Sequence, residues 1–406
     1  AVTALRQLAS AASASHSSST AAGSTARYAV RQVTTWIRAI SAASSGNAGR
    51  TDASAVPAGV PGELRDAVSR AWYGLSARAR DVTRVIAIAG RPQPAARLAA
   101  VLNDTGALVD TAALIDTGTL VATLREAVDA GVLAAGPDGR YWFVHPLLAE
   151  VLEEGLLAEE RRQWHATFAA VLAPEADPAG DAEPVIAVAD HHHRAGNVEQ
   201  AYRWALWGAA AAQRAGGAAE CTRLLRRALD LRSRVHDPDV TRTGLVRRIR
   251  AAAQRAGLFE QELAAVDDLL AVTDRDRRPL LVAELLVRRT HLRFLVGSEF
   301  FAVEHLREAV RLTAAEPGGM PHALATAELA DAEIWHGLPT GPDRAREAVR
   351  LARACGSDRA LTYALVADVM ADCVQPGAAG LDDLPAARHE IQNLVQAINK
   401  SWGVGW

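Results

Sequence analysis

RRALDL at Arg226–Leu231, DDLLAV at Asp267–Val272, REAVRL at Arg307–Leu312 and REAVRL again at Arg346–Leu351 begin 41, 40 and 39 residues apart. Two of the four are identical. A recurrence near 40 residues with helix-pair content is the mark of a tetratricopeptide-like solenoid, in which each unit buries its apolar face only by stacking on its neighbours. Each unit is expected to be two antiparallel helices with the quoted segment on the second. That predicts about four helix pairs over residues 185–375. The alanine runs Ala209–Ala212 and Ala251–Ala253 give the small side chains that close helix approach requires.

Working back from the repeats, the Pro/Asp/Gly-rich link PEADPAGDAEP (residues 174–184) separates them from a denser region, residues 57–172. There Leu64, Val68, Trp72 and Leu75 share one helical face, and Val82, Val85, Ile86 and Ile88 belong to a second helix. IDTGTLVATLREAVDAGVL (residues 115–133) reads as a third helix, capped near Asp116 or Thr117. Gly136-Pro137-Asp138-Gly139 is a turn signal, and Arg140–His145 (RYWFVH) is aromatic and β-branched, as a short strand is. Pro146 suits the first turn of the helix that follows. Helices, a two-stranded ribbon and another helix is a winged-helix order. The expected fold class is therefore mainly α, a winged-helix module followed by a tetratricopeptide-like α-solenoid. Residues 1–56 form a Ser/Ala-rich low-complexity segment with one amphipathic helix at Arg27–Ile40, and residues 376–406 an irregular C-terminal tail.

The composition fits helices. Half of the 406 residues are hydrophobic, aromatics are 5%, and alanine dominates. With 44 basic and 47 acidic residues the formal charge is -3, which gives no global attraction to nucleic acid or an acidic membrane. Lys400 is the single lysine, so almost all positive charge is arginine. Cys221, Cys355 and Cys373 are odd in number and far apart, which fits a reducing cytoplasm better than a disulfide framework. No stretch approaches the roughly 18 apolar residues of a spanning helix. The N-terminus lacks the pattern of a secretion signal, and a chain beginning at Ala1 is expected to be a fragment or a processed form.

Three stretches carry a family likeness: AVPAGVPGELRDAVSRAWYGLSARARDVTRVIAIAGRPQP (residues 55–94), WFVHPLLAEVLEEGLLAEERRQWHATFAAVL (142–172) and ADHHHRAGNVEQAYRWALWGAAAAQRAGGAAECTRLLRRAL (189–229). In this order they resemble the winged-helix and sensor region of large ATP-binding LuxR-type transcriptional regulators, of the signal-transducing class of P-loop ATPases. The resemblance covers roughly residues 57–375. It implies an ATPase core before residue 57 and a DNA-reading helix-turn-helix after the repeats. The stretch in hand shows neither pattern. A P-loop needs a Gly-rich loop and a GK[ST] lysine, and Lys400 has no such loop before it. The expectation is a sensor region without its input and output modules. ATP or ADP is expected only for an intact family member, and no cofactor for this chain.

By the resemblance, His145 would touch the nucleotide phosphate and report its state, since an imidazole donates to phosphate and changes charge near pH 7. The plainer reading is a capping or core histidine. His191-His192-His193 invites a metal reading, but consecutive helical residues point 100° apart and cannot all meet one ion, so no metal site is expected. Between residues 223 and 255 ten arginines face three aspartates, an excess of seven positive charges. From that cluster Arg223, Arg226, Arg227, Arg247, Arg248 and Arg250 are candidates for binding a phosphate or an acidic partner, against the favoured reading of a solvated face paired with acidic neighbours. Trp164, Tyr202, Trp204 and Trp207 are candidates for lining a ligand pocket, against the favoured reading of core. The would-be recognition helix Gly118–Leu133 carries Arg125 beside Glu126 and Asp129, too acidic for reading a DNA groove. No Ser-His-Asp, Cys-His or paired-carboxylate arrangement has a motif around it.

The sequence therefore predicts the cytoplasmic sensor or interaction region of a LuxR-type regulator. It would bind a protein, peptide or small-molecule effector through helical repeats, with no catalytic residue and no catalysis of its own. Homo-oligomers are compatible with it; DNA binding by this chain alone and membrane binding are not expected. The alternatives are a stand-alone helical-repeat scaffold, or an enzyme whose site shows no motif.

Overall fold

The computed structural model describes residues 70–104, 116–237, 239–299 and 301–374, with side chains through Ala371. The expected helix at 27–40, the positions Leu64 and Val68, Cys373 as a side chain and the tail 376–406 lie outside the described residues. The chain is mainly helical and divides into two compact units, one ending at Leu245 and one beginning at Val246.

In the first unit α1 (Ala77–Ala89) starts at Ser76, whose hydroxyl accepts the Ala79 amide, and stops at Gly90 with φ 67°. A glycine serves there because an added Cβ would strain the left-handed backbone. Then come β1 (Gln93–Pro94), α2 (Ala95–Asp104), α3 (Thr117–Asp129), β2 (Leu133–Ala135), β3 (Arg140–Phe143) and α4 (Pro146–Glu154). Asp116 caps α3 through the Thr119 amide, and Pro146 occupies the first turn of α4. The three strands form one antiparallel sheet in the order β1-β3-β2, with Gln93 opposite Tyr141 and Leu133 opposite Phe143. The Gly136–Gly139 turn closes the β2–β3 hairpin, with the Gly136 amide donating to the Arg140 carbonyl. Ile86, Ile88, Leu98, Leu120, Leu124, Leu133 and Leu148 are fully buried. Each such side chain contributes roughly 1.5–3 kcal/mol by leaving water. The Glu126 carboxylate accepts both the Ser76 amide and the Ser76 hydroxyl, at 2.6 and 2.8 Å. The acidic residue that spoils α3 for DNA thus ties it to the start of α1.

The same unit continues with α5 (Ala158–Leu172), which packs on α1 and α2, and then α6 (Ala182–Ala195), α7 (Val198–Arg214) and α8 (Ala218–Leu231), each packed on its predecessor. Gly208 on α7 lets α8 come close, since a Cβ there would lie 3.1 Å from Leu224 Cδ1.

Helix α9 (Arg242–Ala256) begins before the division and runs into the second unit, which goes on with α10 (Phe259–Val272), α11 (Pro279–Leu295), α12 (Val303–Thr313), α13 (Met320–Trp335), α14 (Gly341–Cys355) and α15 (Asp358–Val374). RRALDL lies in α8, DDLLAV in α10 and the two REAVRL segments in α12 and α14. In sequence order each sits on the second helix of a pair. Within the second unit α13 is the hub, packing on α11, α12, α14 and α15. Every residue from Ala323 to Ala330 is buried, as befits a helix without a polar face. Gly341 brings α14 against the end of α13. A Cβ there would lie 2.8 Å from Ile334 Cγ1 and 2.9 Å from the Ile334 backbone nitrogen.

Candidate functional site

Three glutamates in the second unit are removed from water: Glu262 on α10 and Glu328 and Glu333 on α13. A buried carboxylate is stable only when paired or protonated. Glu262 is met head-on by Arg288 of α11, whose Nε and Nη2 each donate at 2.7 Å. Glu333 receives the Thr340 hydroxyl and Arg344 Nε, both at 2.8 Å, and Arg307 stands 3.5 Å away. Glu333 Oε1 is nonetheless buried without a hydrogen bond. Glu328 Oε1 is buried without one as well, and the ion pair of Glu328 is with a histidine rather than an arginine, its Oε2 meeting His291 Nε2 at 2.6 Å.

Around Glu328 the helices collect further polar groups. Asp331 lies one turn on along α13, a spacing that puts both carboxyls on one face. Burial first, and the charge of Glu328 next, push Asp331 up to about 7, against smaller opposing effects of His291 and a hydrogen bond from Trp335. Tyr363 of α15 stacks on His291, with ring centroids 6.0 Å apart and planes 24° off parallel. Its ring is 38% exposed, while burial of the hydroxyl end, then Glu328, raises its pKa. These groups form a polar cluster where α11, α13 and α15 meet, with Glu328 buried and His291 and Tyr363 partly exposed.

The first unit holds a second polar feature. His165 of α5 and His191 of α6 are buried with their Nδ1 atoms 2.9 Å apart, so one of the two carries the hydrogen. His191 stacks flat on Phe168 at 5.0 Å. Burial first, and then the charges of His165, Arg91 and Arg194, lower it to about 3, so it is neutral at ordinary pH. Glu153 stands 3.6 Å from His165 Nε2 and 3.5 Å from Arg194. Its carboxyl is held below the usual range by His165 first and by Arg194 and Arg161 next, against burial. A cleft of about 520 Å³ opens here, lined by Glu153, Ala158, Arg161, Arg162, His165 and Arg194. Its arginines are engaged: Arg161 donates to the Glu153 and Glu154 carbonyls, Arg162 pairs with Glu159, and Arg194 with Glu153.

The residues singled out from sequence are dispersed. His145 is exposed at the N-cap of α4 without a side-chain cap bond. His191, His192 and His193 part company: the first is buried on Phe168, the second stacks on Trp204 at 6.3 Å, and the third is exposed. Arg223 grips Asp190 at 2.9 and 3.1 Å and also pairs with Glu220, and Arg227 reaches the same Asp190 at 2.6 Å. For Asp190 burial is the largest influence and raises its pKa, but the two arginines outweigh it and keep it ionised. Arg250 pairs with Glu284 at 2.8 Å. Arg226, Arg247 and Arg248 are exposed. Trp164, Tyr202 and Trp204 lie in the core of the first unit, and the Tyr202 hydroxyl donates to Asp237 at 2.8 Å. Trp207 stands edge-on to Trp204 at 5.0 Å, partly at the surface. Glu328, Asp331, His291 and Tyr363 were not among the sequence candidates. The one signal available was a run of three acids, Glu328, Asp331 and Glu333, in an otherwise apolar alanine-rich helix.

No protein-family profile matches the chain, and no curated protein matches it. Among solved structures, one similar chain is the Signal Transduction ATPase with Numerous Domains (STAND) protein with a tetratricopeptide repeat sensor from Pyrococcus horikoshii, at 10% identity and a TM-score of 0.32. The match covers 94% of this chain and 59% of that one. So loose a superposition decides nothing about fold or function. Among the described residues no helix is long and apolar enough to cross a membrane.

Proposed function

We propose that this chain is the effector-binding sensor region of a signal-transducing regulator of the LuxR type, acting by recognition and without catalysis of its own. The observation that carries the reading is the polar cluster where α11, α13 and α15 meet: Glu328 is buried with a histidine as its ion-pair partner and an oxygen without a hydrogen bond, whereas Glu262 and Glu333 are each paired with an arginine. The order helix, strand, helix, helix and hairpin in the first unit supports reading it as a winged-helix module, and the repeated segments on second helices support a tetratricopeptide-like array. The three family-like stretches support the LuxR assignment, a cytoplasmic location and effector-dependent coupling to an ATPase in an intact regulator. ATP or ADP is no cofactor in this reading of the chain alone.

The test is thermal melting of the purified chain against nucleotides, sugars, amino acids, amines and short peptides. A ligand at 100 times its Kd stabilises by about 2.7 kcal/mol, which raises the melting point by roughly 5–10 °C for a unit of this size. A stabilising compound that is recovered unchanged sustains the sensor reading. Turnover of any panel member would establish an enzyme instead. No stabilisation together with concentration-dependent self-association would establish a scaffold. Calorimetry with ATP and ADP, with His145→Ala as control, adds the nucleotide arm. Micromolar binding lost in the variant would make the first unit a nucleotide switch in its own right.

A further inference from the structure

We propose that the cluster formed by Glu328, Asp331, His291 and Tyr363 is a receptor for an organic cation, a protonated primary amine or a guanidinium group. The proposal rests on the sensor reading and names the chemistry of its effector.

The charge inventory of the cluster argues for a cation. Glu262, Glu328 and Asp331 are acidic. Arg288 gives Nε and Nη2 to Glu262 and also acts through its charge on Glu328 and Tyr363, and His291 offers Glu328 one nitrogen. Arg359 of α15 acts on Tyr363 from an exposed position. One carboxylate oxygen, on a residue only 4% exposed, is thus left with neither donor nor water-facing surface. Such an atom can accept a donor from outside the fold. In the free protein the strain is relieved by a proton, because Asp331 is pushed up to about 7 beside Glu328. A cation lodged between the two carboxyls supplies the missing donor and displaces that proton.

The neighbouring groups decide which cation. A hard metal ion takes six or more oxygens, and among the described residues no group of three or more acids, histidines or cysteines converges as metal ligands do. The cluster instead offers an aromatic side, the His291–Tyr363 stack, with the Tyr363 ring partly open to solvent. Aromatic faces attract ammonium and guanidinium groups. An ammonium has three hydrogens to share, enough for Glu328 Oε1 and Asp331 together.

The experiment is calorimetry of the full chain with spermidine, putrescine and agmatine, and with 1,4-butanediol as a neutral match for putrescine. At least one cation is expected to bind, and the diol is not. Glu328→Gln, which keeps shape and removes charge, should weaken binding at least tenfold. Glu284→Gln removes an exposed acid elsewhere in the same unit and should leave binding unchanged. Tyr363→Ala changes a ring at the surface, so it keeps the fold, and it should weaken binding severalfold. Near pH 7 binding should release up to one proton, read as a dependence of the apparent enthalpy on buffer ionisation, and Asp331→Asn should abolish that release. Failure of all three cations to bind overturns the proposal, as does unchanged affinity in Glu328→Gln, or an equal loss in Glu284→Gln. A stabilising ligand of another class in the melting panel would then leave the sensor reading standing without this site. Amine binding followed by turnover would keep the site and overturn the sensor reading.

Discussion

In the first unit the enclosed polar pair is His165 and His191, held 2.9 Å apart and kept neutral on the His191 side by burial against Phe168. In the second it is Glu328 and Asp331, one half-paired and the other pushed up to about 7. Both units bury ionisable groups, but an imidazole becomes harmless by losing a proton and a carboxyl by gaining one. The first unit can therefore close over its pair at neutral pH. The second holds its pair at the edge of ionisation and leaves an oxygen waiting. This difference, more than any count of charges, separates a structural polar contact from a receptive one.

The largest expected effect tests whether the second unit tolerates a second unpaired acid. Arg288→Met strips Glu262 of both its hydrogen bonds at a site with 0% exposure. A broken buried pair costs about 3–5 kcal/mol, so chemical denaturation should show a loss of that size. A loss under 1 kcal/mol would mean that buried charge in this unit is cheap, and the contrast with Glu328 would collapse. Next, Gly341→Val drives a branched side chain into Ile334, and overpacking of this kind costs about 1–3 kcal/mol. Urea melts of the variant should show it, and an unchanged midpoint would mean that α13 and α14 can part freely.

The pH response sharpens the comparison further. His191 drops from 6.5 to about 3 on folding. The unfolded chain then binds the extra proton, and stability contributed at neutral pH is lost as pH falls below 6.5. By pH 5 the loss is about 2 kcal/mol. Asp331 rises from 3.8 to about 7, so there the folded form holds the extra proton and acidification from 7 towards 4 stabilises. The units should respond in opposite directions. His191→Phe should reduce the acid-side loss, and Asp331→Asn should remove the acid-side gain, in melts compared at pH 5 and 7.5. Shifts of the same sign in both variants would break the scheme. The smallest effect concerns the cap of α1: Ser76→Ala removes the bond to the Ala79 amide and the hydroxyl's bond to Glu126. The expected cost is about 1 kcal/mol, read as a melting shift of a few degrees.

The helical repeats were legible because they rest on local periodicity. A 40-residue recurrence shows wherever the second helix of each pair carries the same short segment, and α8, α10, α12 and α14 do. The cap at Asp116 and the helix start at Pro146 were readable for the same reason, since a cap is a matter of three or four adjacent residues. The polar cluster was not. His291 and Glu328 are 37 residues apart, and His165 and His191 are 26 apart. Repeats keep their apolar positions in register but not their polar inner ones, so no spacing announces these pairs. The arginine run between 223 and 255 misled in the opposite sense. It looks like an anion-binding patch in a linear window, yet Arg223 and Arg227 are answered by Asp190 and Arg250 by Glu284, each more than thirty residues away.

Helix α13 has a consequence for how the protein is made. Its residues Ala323–Ala330 have no face for water, and the larger part of the helix's packing comes from α14 and α15, which leave the ribosome after it. At 5–20 residues per second, the stretch from His336 to Val374 takes roughly 2–8 s to synthesise. For those seconds an alanine- and leucine-rich rod sits on α11 and α12 with its far side bare, the kind of surface that chaperones grasp and that like chains stick to. Helix α15, the last of the described residues, is thus the clasp of the second unit, and a ribosome that stalls before Asp358 releases a chain with its central strut uncovered.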